Sequence, residues 1–296
     1  MSNASPRSND IEAYGASGSP PEEGLAQPLS PLEVLFPELR HLSTDDLRQI
    51  GITKPTVMIA MTARTGSSHL CSGLASVIRA GKPRELFNTR SNKTPDQKRR
   101  GAKTMGEFLA QYAAASEDCV VFKTCWLDFE YFQDKIQLLF PNLKVVYLDR
   151  FDIEAQAVSL YRAILSGYWH DSPDKAAPPK RGIDEIRNLF DVRKICHIID
   201  TLSHEKWMWE DYLFRHDLRP IRIYYEHFSD DLREVVARIV RHLDVPHGSL
   251  DGLASTFKAV SDEVNQDWIL KLRRYRNGTL TRDHLLETTP GDTAFS

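Results

Sequence analysis

The sequence predicts an α/β fold, a three-layer sandwich in which a central parallel sheet is flanked by helices. Two observations carry this expectation. Short apolar, β-branched runs alternate with helix-period segments along most of the 296 residues, which is the order that βαβ units impose. Four of these runs also give way at once to polar or charged residues, at "TARTGSS", "KTCW", "LDR" and "YYEH". In a parallel sheet these ends share one edge, and ligands bind beyond it.

Residues 1–30 are rich in Ser, Pro, Gly, Asn and Glu. Such a stretch cannot offset the entropy of ordering, so a disordered tail is expected. Residues 31–296 are expected to form a single domain. "PLEVLFPELRHL" supplies an apolar patch and a short helix, and Ser43 or Thr44 caps the next. "TVMIAM" reads as a buried strand. "SHLCSGLASVI" places Leu70, Leu74, Val77 and Ile78 at helical spacing. "RAGKPRELFN" reads as a loop and "TMGEFLAQYAAAS" as a helix. "CVVFKTCW" is the second strand, and "FEYFQDKIQLLFP" a helix ended by Pro141. "LKVVYLDR" is the third strand, followed by a helix with Asp152 at its N-cap. "SGYWHDSPDKAAPPK" is polar and Pro-rich enough to serve as a lid. A long helix is expected over 183–214, with Ile186, Leu189, Phe190, Ile195, Ile199, Leu202, Trp209 and Leu213 as its apolar stripe. "PIRIYYE" is the fourth strand, "DLREVVARIVRHLDV" a further helix, and "DWILKLRRYRNG" the last.

Composition narrows the function. The formal charge is −3, and a nucleic-acid surface would need a strong basic excess. The four cysteines, Cys71, Cys119, Cys125 and Cys196, show no CxxC spacing. Neither a zinc site nor a disulfide framework is indicated, and no metal is expected. Cys71, Cys119 and Cys196 sit in apolar segments and read as buried free thiols in a reducing compartment. No apolar run reaches the length of a membrane span, and the N-terminus lacks the order of a signal peptide. A cytoplasmic location is the expectation.

The stretch after the first strand bears most directly on chemistry. Thr62, Ala63, Arg64, Thr65, Gly66, Ser67 and Ser68 are compact and polar and lead into a helix. Gly66 permits positive φ and close approach of a ligand. Backbone N–H groups at a helix start make an anion site, and Arg64 adds a fork of charged donors. An ordinary strand–helix turn is the competing reading. The layers and the loop are P-loop-NTPase-like, but GxxxxGK[ST] is not present: the lysine and the first glycine are missing. Magnesium-dependent ATP chemistry is therefore disfavoured.

"TARTGSSHL", "GKPRELFN", "FKTCW", "LDRFDIEAQAVSLYRAILSGYWH" and "IYYEHF", in that order over 55–268, resemble the Stf0-type carbohydrate sulfotransferases. The resemblance implies 3′-phosphoadenosine-5′-phosphosulfate (PAPS) as donor and PAP as product. It implies that Arg64, Thr65, Gly66, Ser67, Ser68 and His69 hold the 5′-phosphosulfate. By the same likeness Arg150 and Ser159 hold the 3′-phosphate, and Tyr225 lies near the adenine. Without the likeness Arg150 reads equally as a partner of Asp149 or Asp152, and Tyr225 as a half-buried strand residue. "RRYR" at 273–276 reads as a solvated basic helix face.

The resemblance also implies Glu85 as the catalytic base. A carboxylate of ordinary pKa is ionised at neutral pH and can take a proton late in the transfer. Leu86 departs from the aromatic that the family pattern carries there. The more distant animal cytosolic sulfotransferases place a histidine where Cys125 follows Lys123 and Thr124, which argues against a base at that strand. Lys123 is a candidate for neutralising charge, and His69 and His170 are substitutes for the base. The leaving group is a phosphate, so positioning and charge stabilisation carry the chemistry without a metal, with Arg64 and the loop amides expected to stabilise the charge on that phosphate. A carbohydrate or glycolipid hydroxyl is the expected acceptor, with Phe87, Trp126, Tyr168 and Trp169 near it. Aromatic faces equally suit a core. The family likeness allows a homodimer. A P-loop-type small-molecule kinase and a non-catalytic nucleotide-binding protein on the same scaffold are the alternatives.

Overall fold

The computed structural model describes residues 29–80, 83–89, 93–169, 182–228, 231–253 and 262–279. These fall into two compact units. One holds the described residues up to 151 together with 204–253, and the other holds those of 152–203 and 262–279.

The first unit contains a five-stranded sheet: β1 (Thr56–Met61), β2 (Arg84–Glu85), β3 (Val120–Cys125), β4 (Leu143–Asp149) and β5 (Ile221–Tyr224). Every pairing is parallel and the order is β2-β3-β1-β4-β5. Four of the five strands coincide with the apolar runs of the sequence. The fifth, β2, lies in a segment that reads as loop. It is two residues long, with Arg84 opposite Phe122 and Glu85 opposite Lys123. So short a strand carries no alternation, and only its pairing partner creates it.

Alternation along β1 feeds two cores. Met58 and Ala60 face a cluster with Phe122, Tyr147 and Trp209, while Val57, Ile59 and Met61 face Leu70, Leu74, Leu148 and Ile223. Both sheet faces are covered, so the strand is buried throughout and apolar after Thr56. Helices of seven residues or more are α1 (Thr44–Ile50), α2 (Ser67–Val77), α3 (Met105–Ala114), α4 (Ile153–Ser166), α5 (Val192–Arg215), α6 (Leu232–Leu243) and α7 (Glu263–Arg276). Ser43 caps α1 through Asp46 N–H, and Asp152 caps α4 through Ala155 N–H at 2.9 Å.

Two expected helices are interrupted. The segment after Cys125 forms Trp126–Phe129, a 3₁₀ turn Gln133–Lys135 and Ile136–Leu139. Phe129, Phe132, Ile136 and Leu139 nevertheless all enter the core, so a run of tight turns keeps one apolar face. The 183–214 helix is Ile183–Arg187 and then α5. Asp191 ends the gap: its Oδ1 accepts from Arg193 N–H at 3.0 Å and Lys194 N–H at 3.1 Å.

In the second unit α4 packs on α7. Tyr161 and Trp268 are buried there with ring centroids 5.7 Å apart. Arg162 grips Asp262 with two hydrogen bonds of 2.7 Å. The basic run at 273–276 is not merely solvated. Arg273 binds Asp152 at 2.7 Å and Glu154 at 2.9 Å, and Arg276 binds Glu154 at 2.7 Å.

All four cysteines are free thiols. Cys71, Cys119 and Cys125 are buried, whereas Cys196 is half-buried. Among the described residues no helix is long and apolar enough to cross a membrane, and no group of side chains could hold a metal ion. Residues 1–28 of the expected tail and residues 170–180 of the expected lid, His170 among them, lie outside the described residues.

Candidate functional site

The chain leaves β1 at Met61 and turns into α2. Arg64 (φ 65°) and Gly66 (φ 77°) both take the left-handed conformation. For an arginine this costs about 1–2 kcal/mol, which surrounding contacts must offset. Thr65 Oγ1 donates to the Thr62 carbonyl at 3.0 Å, and Arg150 Nη1 donates to the Arg64 carbonyl at 3.3 Å. At Gly66 a Cβ would lie 2.6 Å from Tyr225 Cδ2 and 3.0 Å from Phe228 Cζ. Glycine is needed there for space as well as for φ.

Gly66 is the N-cap of α2 and brings no capping side chain, and the first turn of α2 holds no acidic residue. By contrast α3, α4, α6 and α7 each have a side-chain cap and a glutamate in the first turn. The start of α2 therefore keeps the positive end of its dipole without a carboxylate of its own.

Strand alternation puts Lys123 on the α2 face of the sheet, where it is only 6 % exposed. Its Nζ donates to Ser68 Oγ at 3.0 Å and to Ser67 Oγ at 3.2 Å, and lies 3.4 Å from Glu85 Oε1. A buried ammonium needs such partners. The other Glu85 oxygen accepts from Asn88 Nδ2. The segment that carries these two residues is fixed at its far end. Phe87 (φ 58°) is buried with its ring 4.8 Å from Phe132 and 5.5 Å from Phe108. Beyond it, buried Asp128 accepts from Thr89 N–H at 3.0 Å and Thr89 Oγ1 at 2.7 Å.

Arg150 follows β4, and its side chain is 17 % exposed. Its guanidinium lies 4.6 Å from the Tyr225 ring centroid, and its Nε lies 3.9 Å from Glu226 Oε1. Lys206 on α5 fastens the backbone at this point: Nζ reaches Asp149 Oδ1 and the Arg150 carbonyl, each at 2.7 Å. One turn further on α5, buried Trp209 donates Nε1–H to the Met61 carbonyl at 3.0 Å.

The structure thus brings Ser67, Ser68, Glu85 and Lys123 together in one cluster, and joins Arg64, Gly66, Tyr225 and Arg150 through direct contacts. Thr65 is buried inside the loop. His69 is half-buried and meets Phe228 edge-on, with ring centroids 5.8 Å apart. Burial holds its pKa below the usual histidine value, which favours the neutral imidazole. Ser159 is half-buried on α4, in the second unit. Phe87 and Trp126 belong to the core, so the sequence expectation that they lie beside an acceptor gives way to packing. Tyr168 is half-buried and Trp169 is 40 % exposed. Asn88, Asp128, Lys206, Trp209 and Glu226 were not visible as site residues in the sequence. Around Lys123 the site is a set of cationic, hydroxyl and amide donors beside the Glu85 carboxylate, suited to holding an anion next to a proton acceptor.

The model of the Stf0 sulphotransferase family matches residues 128–278, just over half of the chain. The chain belongs to this family. The matched stretch includes Arg150, Ser159 and Tyr225, while the loop after β1, Glu85 and Lys123 precede it. Among curated proteins the chain is similar to the trehalose 2-sulfotransferase of Mycolicibacterium smegmatis, 24 % identical over 132 residues, covering 44 % of this chain and 45 % of that protein. It is also similar to the trehalose 2-sulfotransferase of Mycobacterium tuberculosis, 30 % identical over 95 residues, 32 % of this chain and 33 % of that protein. Each match spans less than half of the relative's length. Among solved structures, a sulfotransferase from Alicyclobacillus acidocaldarius overlaps 75 % of this chain and 92 % of its own, at 13 % identity and a TM-score of 0.46.

Proposed function

We propose that this Stf0 family member is a sulfotransferase that moves the sulfuryl group of PAPS to a hydroxyl of a carbohydrate or glycolipid and releases PAP. The observation that carries the reading is the position of Lys123. One buried ammonium touches the hydroxyls at the start of α2 and the carboxylate of Glu85. Transfer of an anionic group needs a grip on the leaving phosphate beside a base for the attacking hydroxyl, and Lys123 links two such places. Family membership supports the reaction class, and the trehalose 2-sulfotransferases support a sugar acceptor.

PAPS supplies an activated sulfuryl group on a phosphate leaving group. The rest falls to the chain. Arg64, Thr65, Ser67, Ser68 and His69, with the amides that start α2, hold the 5′ end. Gly66 lets that end approach the backbone closely. Arg150 takes the 3′-phosphate, with Ser159 assigned to it from the resemblance alone. The Glu85 carboxylate accepts the acceptor's hydroxyl proton as the new oxygen–sulfur bond forms and the bond to the phosphate oxygen breaks. Lys123 then faces the negative charge gathering on that oxygen. A donor in this role is commonly worth about a hundredfold in rate.

The test is calorimetric titration with PAP and with ATP plus magnesium, followed by transfer of radiolabelled sulfate from PAPS to a panel of sugars. PAP is expected to bind in preference to ATP, and label is expected in a sugar. A preference for ATP–magnesium would put a kinase in its place. Binding of PAP without transfer to any acceptor, and with no effect of Glu85→Gln, would leave a nucleotide-binding protein.

A further inference from the structure

Tyr225 opens the short helix Tyr225–Phe228 directly after β5, and its contacts tie it to Arg150 and to the loop at Gly66. One face of the ring carries the Arg150 guanidinium at 4.6 Å from the centroid, a cation–π arrangement. The Cδ2–Cε2 edge lies where a Cβ of residue 66 would come within 2.6 and 2.9 Å. Phe228 meets the ring edge-on at 5.6 Å and fixes its tilt. The next residue, Glu226, approaches Arg150 Nε with Oε1 at 3.9 Å and accepts from Phe151 N–H with Oε2 at 3.1 Å. Two consecutive residues therefore hold one arginine, the first by its ring and the second by its carboxylate. The Arg64 carbonyl is a further contact. An arginine immobilised in this way loses little entropy when it takes a phosphate.

We infer that Tyr225 is a positioning residue: its ring sets the Arg150 guanidinium and the distance from it to the anion loop at Gly66, so that it governs recognition of the nucleotide's 3′-phosphate. The inference rests on the proposed role of Arg150.

Two nucleotides separate the alternatives. PAP carries the 3′-phosphate, and adenosine 5′-phosphate keeps the purine and lacks it. Both are titrated calorimetrically into the wild type, Arg150→Ala, Tyr225→Leu, Tyr225→Phe and the Arg150→Ala/Tyr225→Leu double variant. Arg150→Ala and Tyr225→Leu are each expected to weaken PAP about tenfold or more and to leave adenosine 5′-phosphate within about twofold. The double variant is expected to bind PAP no more weakly than the worse single variant, because both act through one guanidinium. Tyr225→Phe keeps the ring and is expected to keep the preference for PAP. Equal losses for the two nucleotides in Tyr225→Leu, additive losses in the double variant, or loss of the PAP preference in Tyr225→Phe would overturn the inference. The Phe variant decides the matter if the Leu variant does not fold. An Arg150→Ala protein that still distinguishes the two nucleotides as the wild type does would instead remove the 3′-phosphate role of Arg150, and the inference with it.

Discussion

Gly66→Ala is the sharpest perturbation of the loop. An L-residue held at φ 77° costs about 1–2 kcal/mol. The added Cβ would sit 2.6 Å from Tyr225 Cδ2, 2.9 Å from Tyr225 Cε2 and 3.0 Å from Phe228 Cζ. These are ring atoms in a packed cluster and cannot swing aside as a flexible chain end would. Overpacking of this kind costs about 1–3 kcal/mol. The sum is about 2–5 kcal/mol, or roughly 3–8 °C in Tm for a chain of this size. Scanning calorimetry of the wild type, Gly66→Ala, Tyr225→Ala and the double variant separates the two costs. In the Tyr225→Ala background the two shortest contacts are gone and only Phe228 Cζ, at 3.0 Å, remains close, so Gly66→Ala should cost mainly the backbone share, about half as much or less. An equal drop in both backgrounds would refute the steric reasoning, and no drop in either would refute the backbone reasoning as well.

Lys123→Met preserves volume but removes the ammonium from Ser67, Ser68 and Glu85; single-turnover transfer should slow by about a hundredfold while far-ultraviolet circular dichroism is unchanged. Trp209→Phe leaves the buried Met61 carbonyl without its indole donor, so the urea midpoint should fall by the equivalent of about 1–3 kcal/mol at constant slope. Burial pushes the thiols of Cys71 and Cys119 up to about 11 and raises that of Cys196 as well, but Cys196 alone of the four is half-buried rather than buried, so in native protein at pH 8 iodoacetamide should label it first, as read by peptide mass spectrometry. At Asp262 burial alone would raise the carboxyl pKa, but the paired Arg162 and the Asn265 N–H outweigh it and hold the group below its usual value. Its folded pKa then lies under its unfolded one, so the stability it contributes is complete above about pH 4–5 and is lost as pH falls through the folded pKa. The gap in urea midpoint between wild type and Asp262→Asn should close over that range.

Legibility in the sequence followed the locality of the cause. β1, β3 and β4 were readable because burial on both sheet faces forces largely apolar runs, and β5 because its buried isoleucines alternate with exposed Arg222. β2 was not, because Arg84 and Glu85 become a strand only through Phe122 and Lys123 of β3. The break before α5 had a local signal in Asp191, which caps the helix, but the apolar stripe continues across it and hides the gap. In the candidate site, Arg64, Gly66 and Arg150 stand at strand ends, where polar residues after an apolar run draw notice. Lys206 and Trp209 sit in an amphipathic helix, where a tryptophan reads as core and a lysine as surface. Their bonds to the ends of β4 and β1 arise only when the chain is folded. Asn88 and Asp128 went unnoticed for the same reason, since each acts on a neighbour that local pattern does not tie to it.

Lys206 and Trp209 also have a joint effect. They are three residues apart on α5, and they bind the main chain where β4 and β1 end. A stiff rod that grips two neighbouring strand tips sets the gap between them. The arginine beyond one tip and the loop beyond the other are thereby braced from the same helix, as two marks on one ruler are. An extra residue inserted between positions 206 and 209 would turn one of these grips about 100° away and leave the tip it held to the β1–β4 pairing alone.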